Sequence, residues 1–116
     1  MADIKFTSNV NDILSAMEKG KRNALTAIGA TAETHVKDNI TADDLIDTGR
    51  LRNSISHSVD GESAYIGTNV EYAPYLELGT KKITAHHYLK RAVTDHQDEY
   101  KKLTVQAIKT AINNSQ

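Results

Sequence analysis

The chain has 116 residues, no cysteine, and 14 basic against 15 acidic residues, for a net charge of −1. A disulfide framework and thiolate metal sites are thereby excluded, and the basic excess that counterion release asks of a nucleic-acid binder is absent. With 39% apolar and 25% charged residues, a single folded domain over residues 1–116 is expected, without a membrane span or signal-peptide core and made in the cytoplasm.

In chain order, Asp3 to Thr7 alternates, with Ile4 and Phe6 on one face, and reads as a short edge strand. Ser8 or Asn9 offers a helix N-cap, and Asp12 falls in the first turn, where the helix dipole favours an acid. Val10, Ile13, Leu14, Met17, Ala24, Leu25, Ile28, Ala32, His35 and Val36 then form one apolar stripe at helical spacing. This predicts a long helix over about residues 10–38, with Glu18–Arg22 and Glu33–Lys37 as i,i+4 pairs on the wet side. Gly20 and Gly29 interrupt it, each at about 1 kcal/mol relative to alanine, and a kink is expected near Gly20.

Asn39 to Asp47 reads as an open connector, because Asp43, Asp44 and Asp47 repel one another. Thr48 then caps a short helical turn over residues 49–53. Ser54–Val59 and Ala64–Val70 alternate as strands, and Asp60-Gly61 between them is a two-residue hairpin signal. After Tyr72 the period changes: Pro74 suits the first position of a helical turn, and Gly79 suits a left-handed C-terminal cap. Thr80 to Thr84 is expected to return as another strand. A last helix over about residues 85–113 carries the stripe Leu89, Ala92, Val93, His96, Tyr100, Leu103, Ala107, Ile108 and Ile112.

The fold class that follows is α+β, with two long helices packed on a small antiparallel sheet, a central β-hairpin and a short connecting helix. A 28-residue helix is about 42 Å long, whereas a compact chain of this size is roughly 35 Å across. Both helices should therefore overhang the core.

Catalytic patterns find little footing. The residues four after His86, His87 and His96 are Lys90, Arg91 and Tyr100, so no helix carries paired histidine ligands at i,i+4. His35 and His96 lie on the apolar stripes and read as hydrogen-bonded packing histidines. Neither glycine-rich phosphate motif is present. The serines at 54, 56 and 58 are explained by strand alternation. Asp43, Asp44 and Asp47 lack the other ligands of a calcium loop, and Arg50, Arg52, Lys81 and Lys82 lack an aromatic stacking platform. No catalytic residue, cofactor or metal is expected, which weighs against a hydrolase or deaminase; the net charge weighs against a nucleic-acid-binding or regulatory module.

The spine Asp47-Thr48-Gly49-Arg50-Leu51-Arg52-Asn53-Ser54-Ile55, then Tyr65 through Thr80 with Gly67-Thr68, Tyr72-Ala73, Glu77 and Gly79-Thr80, then Leu89-Lys90-Arg91-Ala92, resembles the tail-component family of tailed bacteriophages and prophages. That family includes head–tail joining and tail-completion proteins. Ala85-His86-His87-Tyr88-Leu89 stands where the family usually has prolines and a phenylalanine. The resemblance implies a structural virion protein without catalysis, a ring of usually six copies at the neck. Its implied partners are the head connector or adaptor and the tail tube, with no membrane and no specific nucleic acid; a minor capsid or assembly factor is the alternative. Isolated chains are expected to be monomeric or weakly associated. The candidate contacts are the acidic connector Asp43, Asp44, Leu45, Ile46 and Asp47, the neighbouring Arg50 and Arg52, and the corner Glu77, Thr80, Lys81 and Lys82, where both signs of charge share one edge.

Overall fold

The computed structural model describes residues 7–45 and 47–114. Helices make up about two thirds of the chain: α1 (Thr7–Asp43), α2 (Thr48–Ser54), α3 (Ala73–Leu78), α4 (Tyr88–Thr94) and α5 (Gln97–Asn114), with strands β1 (Ser56–Val59) and β2 (Ala64–Gly67) between α2 and α3. The expected strand lies outside the described residues as far as Phe6, and Thr7 is helical.

At 37 residues, α1 is about 55 Å long. It packs antiparallel on α5, and the molecule is drawn out to 77 × 23 × 22 Å. The core sits at one end of this rod, where Val36, Ile40, Leu45, Leu51, Ile55, Val70, Ala73, Leu76, Tyr88 and Ala92 cluster. The other end is a two-helix arm. The overhang anticipated from helix length is therefore present, and the radius of gyration, 19.4 Å, far exceeds the ~13 Å of a compact chain of about 100 residues.

α1 runs through Gly20 without a break in the helix. A Cβ there would lie 2.8 Å from the Ile108 Cα and 3.2 Å from the Ala107 carbonyl oxygen, so the glycine is where the α5 backbone comes closest. Gly29 plays the same part for β1, since its Cβ would lie 2.8 Å from the His57 ring.

Several boundaries differ from the sequence expectation. The connector is shorter, because α1 continues through Asn39 to Asp43 before Asp44 and Asp47 take left-handed φ values of 48° and 50°. β1 and β2 pair antiparallel with Ser56 opposite Gly67 and Val59 opposite Ala64. The hairpin is present, but Asp60 is not a central turn residue. Its N–H donates to the Ser63 carbonyl at 3.0 Å, and its carboxylate accepts the amides of Glu62 and Ser63 at 2.8 and 2.7 Å. Asp60 thus closes the turn with its side chain, an Asx turn, and Gly61 needs no positive φ.

Pairing stops at Gly67 rather than Val70, because the Thr68 hydroxyl accepts the Val70 amide at 3.1 Å and meets the Ser54 hydroxyl at 2.5 Å. The strand expected at Thr80–Thr84 is instead a tight turn. There the Thr80 hydroxyl accepts the amides of Lys82 and Ile83 at 3.2 and 3.0 Å, and the Thr80 N–H donates to the Ile83 carbonyl at 2.8 Å. Finally, the single last helix is two. At Asp95–His96 the ladder is interrupted, and the Val93 carbonyl accepts the Gln97 side-chain amide at 3.1 Å.

Candidate functional site

The motif residues converge on one corner, between the C-terminal end of α1, α2, the end of β2, α3 and the start of α4. Leu51 and Ile55 enter the core from α2 and its exit, and Ala73 and Leu76 enter it from α3. The Ser54 hydroxyl donates to the Leu51 carbonyl at 2.6 Å. The Thr48 hydroxyl, which was expected to cap α2, donates instead to the Leu45 carbonyl. The actual N-cap position is Asp47. The Tyr72 hydroxyl donates to the Asp47 carbonyl at 3.2 Å, tying α3 to the α1–α2 corner.

Arg50 lies over the Tyr72 ring at 5.5 Å and grips Glu71 through two hydrogen bonds of 3.1 and 2.9 Å. The hydrogen bond from Arg50, more than its charge, holds the Glu71 carboxyl below its ordinary range. Both side chains are more than half exposed, so the pair orders the surface more than it stabilises the fold.

Glu77 is the most informative of the candidate residues. Pro74 stands in the first turn of α3 as expected, and Gly79 follows with φ 78°. Its ψ of 168° is extended rather than helical, and a Cβ would meet the Ala85 amide nitrogen at 2.8 Å. The returning chain is fastened by His86 N–H to the Leu76 carbonyl at 2.8 Å and His87 N–H to the Glu77 carbonyl at 3.2 Å. The Glu77 side chain then accepts the Leu89 amide at 2.7 Å and the Lys90 amide at 3.1 Å.

Those are the second and third amides of α4, the ones an N-cap oxygen normally takes. The residue at the N-cap, His87, is left-handed with φ 50° and makes no side-chain cap. Glu77 therefore caps α4 from the preceding helix, with a side chain only 13% exposed. It turns toward α4 and away from the Lys81–Lys82 turn, with which it was expected to form a mixed-charge edge.

Tyr88 is wholly buried and donates to the Ala73 carbonyl at 2.8 Å. Burial, with the nearby Glu77 and Tyr72, pushes its phenol up to about 12.

The other candidate contacts divide. Leu45 is a core residue, and Asp43, in the last turn of α1, accepts a 2.6 Å bond from Arg91 with His86 at 3.3 Å. Asp44, Asp47, Arg50, Arg52, Thr80, Lys81 and Lys82 are exposed. Ile46 lies outside the described residues. Asp43 and Leu45 are thus engaged with this chain's own α4 and core, while Asp44 and Asp47 face solvent.

Two features were missed in the sequence. The first half of the α1 stripe is bare: Val10, Ile13, Leu14 and Met17 are 50%, 41%, 56% and 44% exposed. They follow α1 beyond the hairpin tip, where Lys21 holds Glu62 at 2.7 Å. The helical period predicted the stripe, but not that α5 packs instead on the neighbouring face of α1, over Ala16 and Gly20. The second feature is the meeting of His35 and His96. These side chains pack as expected, but on each other, with ring centroids 3.5 Å apart and planes 3° apart. His35 Nε2 also lies 2.6 Å from the Glu99 carboxylate.

Among the described residues, no helix is long and apolar enough to cross a membrane. No curated protein and no solved structure matches the chain. One family model does, over residues 4–79, which takes in α1, α2, the hairpin, α3 and Gly79. On that match, across about two thirds of its length, the chain belongs to the family described as "Bacteriophage HK97-gp10, putative tail-component".

Proposed function

We propose that the protein is a structural assembly component joining head to tail in a tailed phage or prophage, placed in the virion neck as a ring of copies between the head connector and the tail tube. It acts through surface contact and not through catalysis. The observation that carries this reading is the bare apolar row Val10, Ile13, Leu14 and Met17 on an arm held away from the core. A monomer gains nothing from leaving such a row in water. Covering it with a neighbouring copy recovers about 1 kcal/mol per side chain, since each is already half covered.

That sum is too small to offset the cost of association by itself, which is why isolated chains are expected to stay apart until other neck proteins hold them together. In a head-to-tail ring the two faces of each contact differ, and the exposed Asp44, Asp47, Arg52, Lys81 and Lys82 are candidates for the second face. The test is Leu14→Asp with Met17→Asp in a phage complementation experiment. The variant should fold with an unchanged melting temperature, because neither side chain is in the core, yet give tailless heads by electron microscopy. Wild-type numbers of tailed particles would refute the role of the arm.

A further inference from the structure

We propose that His35, His96 and Glu99 form a binding site for a divalent transition-metal ion of the zinc type, bridging α1 to the start of α5. One ligand atom from each of the three lies within 4.8 Å of the others. His96 immediately precedes α5 and Glu99 lies in that helix's first turn, so the two side chains leave the chain close together. The same i,i+3 pairing of histidine and glutamate, facing ligands from other helices, builds metal sites in helical bundles. His35 supplies the third ligand from α1.

The donor set selects the metal. Two imidazoles and one carboxylate suit zinc, cobalt, nickel or copper, whereas magnesium and calcium want oxygen ligands. Three protein ligands leave the fourth tetrahedral position to water or to a group from another molecule.

Access and freedom to close both favour the site. The Glu99 side chain is 47% exposed and that of His35 is 19%, so an ion reaches the cluster from solvent. Zinc bonds of about 2.0–2.1 Å put tetrahedral ligand atoms roughly 3.3 Å apart, so the His35–Glu99 pair must open from 2.6 Å while any separation nearer the 4.8 Å limit must close. The stacked rings must also turn until their nitrogens converge. Imidazole χ2 is a broad torsion that permits this. Tyr100 lies edge-on to both rings, at 6.4 and 6.5 Å, and is anchored through its hydroxyl to the Ala92 carbonyl. It walls the inner side while the Glu99 side stays open.

A bound ion would clamp α1 to α5 beside the break at Asp95–His96, fixing the direction in which the arm leaves the core. This departs from the expectation of no metal, which weighed cysteines, histidine pairs along one helix and the Asp43–Asp47 loop, but not ligands brought together from separate helices.

The test is isothermal titration of tag-free protein with zinc chloride, and with magnesium chloride as control, alongside thermal melts and cobalt absorption. The expected result is one zinc per chain, a higher melting temperature in zinc, no response to magnesium, and a visible cobalt band of four- or five-coordinate type. Glu99→Gln and His96→Asn should each weaken zinc by about tenfold or more, since even an outer-shell partner is worth that much. His35→Ala should do the same if it folds; the Glu99 and His96 variants decide the matter if it does not. Absence of zinc heat in the wild type, or equal affinity in the Glu99→Gln and His96→Asn variants, overturns the proposal. Equal affinity would place the ion elsewhere, at His57 with Glu33 or at His86 with Asp43.

Discussion

Replacing Glu77 tests whether a carboxylate on one helix caps the next. Its two oxygens hold the Leu89 and Lys90 amides at 2.7 and 3.1 Å. Losing an N-cap side chain costs about 0.5–2 kcal/mol, and losing a negative charge at a partly buried helix start costs roughly 1 kcal/mol more. Glu77→Ala should therefore lose about 1.5–3 kcal/mol, which at roughly 4 °C per kcal/mol for a chain of this size lowers the melting temperature by about 6–12 °C. Glu77→Gln keeps an acceptor and should lose about 1 kcal/mol. Glu77→Lys reverses the interaction with the helix dipole and should be the least stable of the three. Thermal melts followed by circular dichroism give the ranking. A Glu77→Ala variant that melts with the wild type, or a lysine variant as stable as the glutamine one, refutes the cap. The same reasoning disqualifies charge reversal at Glu77 as a probe of assembly, because it would damage α4 first; Lys81→Glu alone probes that edge.

Gly20→Ala should lower stability by about 1–2 kcal/mol although helix propensity alone favours alanine by about 1 kcal/mol, because the new methyl meets the Ile108 backbone at 2.8 Å and a backbone cannot turn aside; a rise in melting temperature would contradict the close approach. Tyr88→Phe should cost about 1 kcal/mol in denaturant unfolding by stranding the Ala73 carbonyl, and an unchanged midpoint would mean that carbonyl finds another donor. The amides of Glu62 and Ser63 hold the Asp60 carboxyl below its usual range. Its stabilising contribution is therefore present above its unfolded value near pH 4 and lost as pH falls through the lower folded value. Wild type and Asp60→Ala should thus differ in melting temperature at pH 6 and converge as pH falls through the lowered folded value, and a gap that is constant with pH would assign the turn to something other than the carboxylate.

What the sequence determined by itself was local. The period of 3.6 along Val10–Val36 and Leu89–Ile112, the period of two on either side of Asp60-Gly61, and Pro74 before Gly79 each report a backbone preference held within a few residues. The helices, the hairpin and the α3 turn accordingly stand close to where those patterns put them. The motif stretches Asp47–Ile55 and Tyr65–Thr80 contain residues that hold one another across short spans, as Ser54 does Leu51 and Thr68 does Val70. The tertiary structure decided which faces are used. Periodicity says that an apolar row wants cover, but only the tertiary structure settles that Ile28 is largely covered while Leu14 stays more than half exposed, because the hairpin ends near Lys21 and α5 packs on the face that carries Ala16 and Gly20. It turned Glu77 inward to α4, because the left-handed backbone at His87 leaves that helix without a cap of its own. It also brought His35 against His96, since the distance between two side chains on different helices depends on how the helices are packed, and no spacing along the chain encodes it.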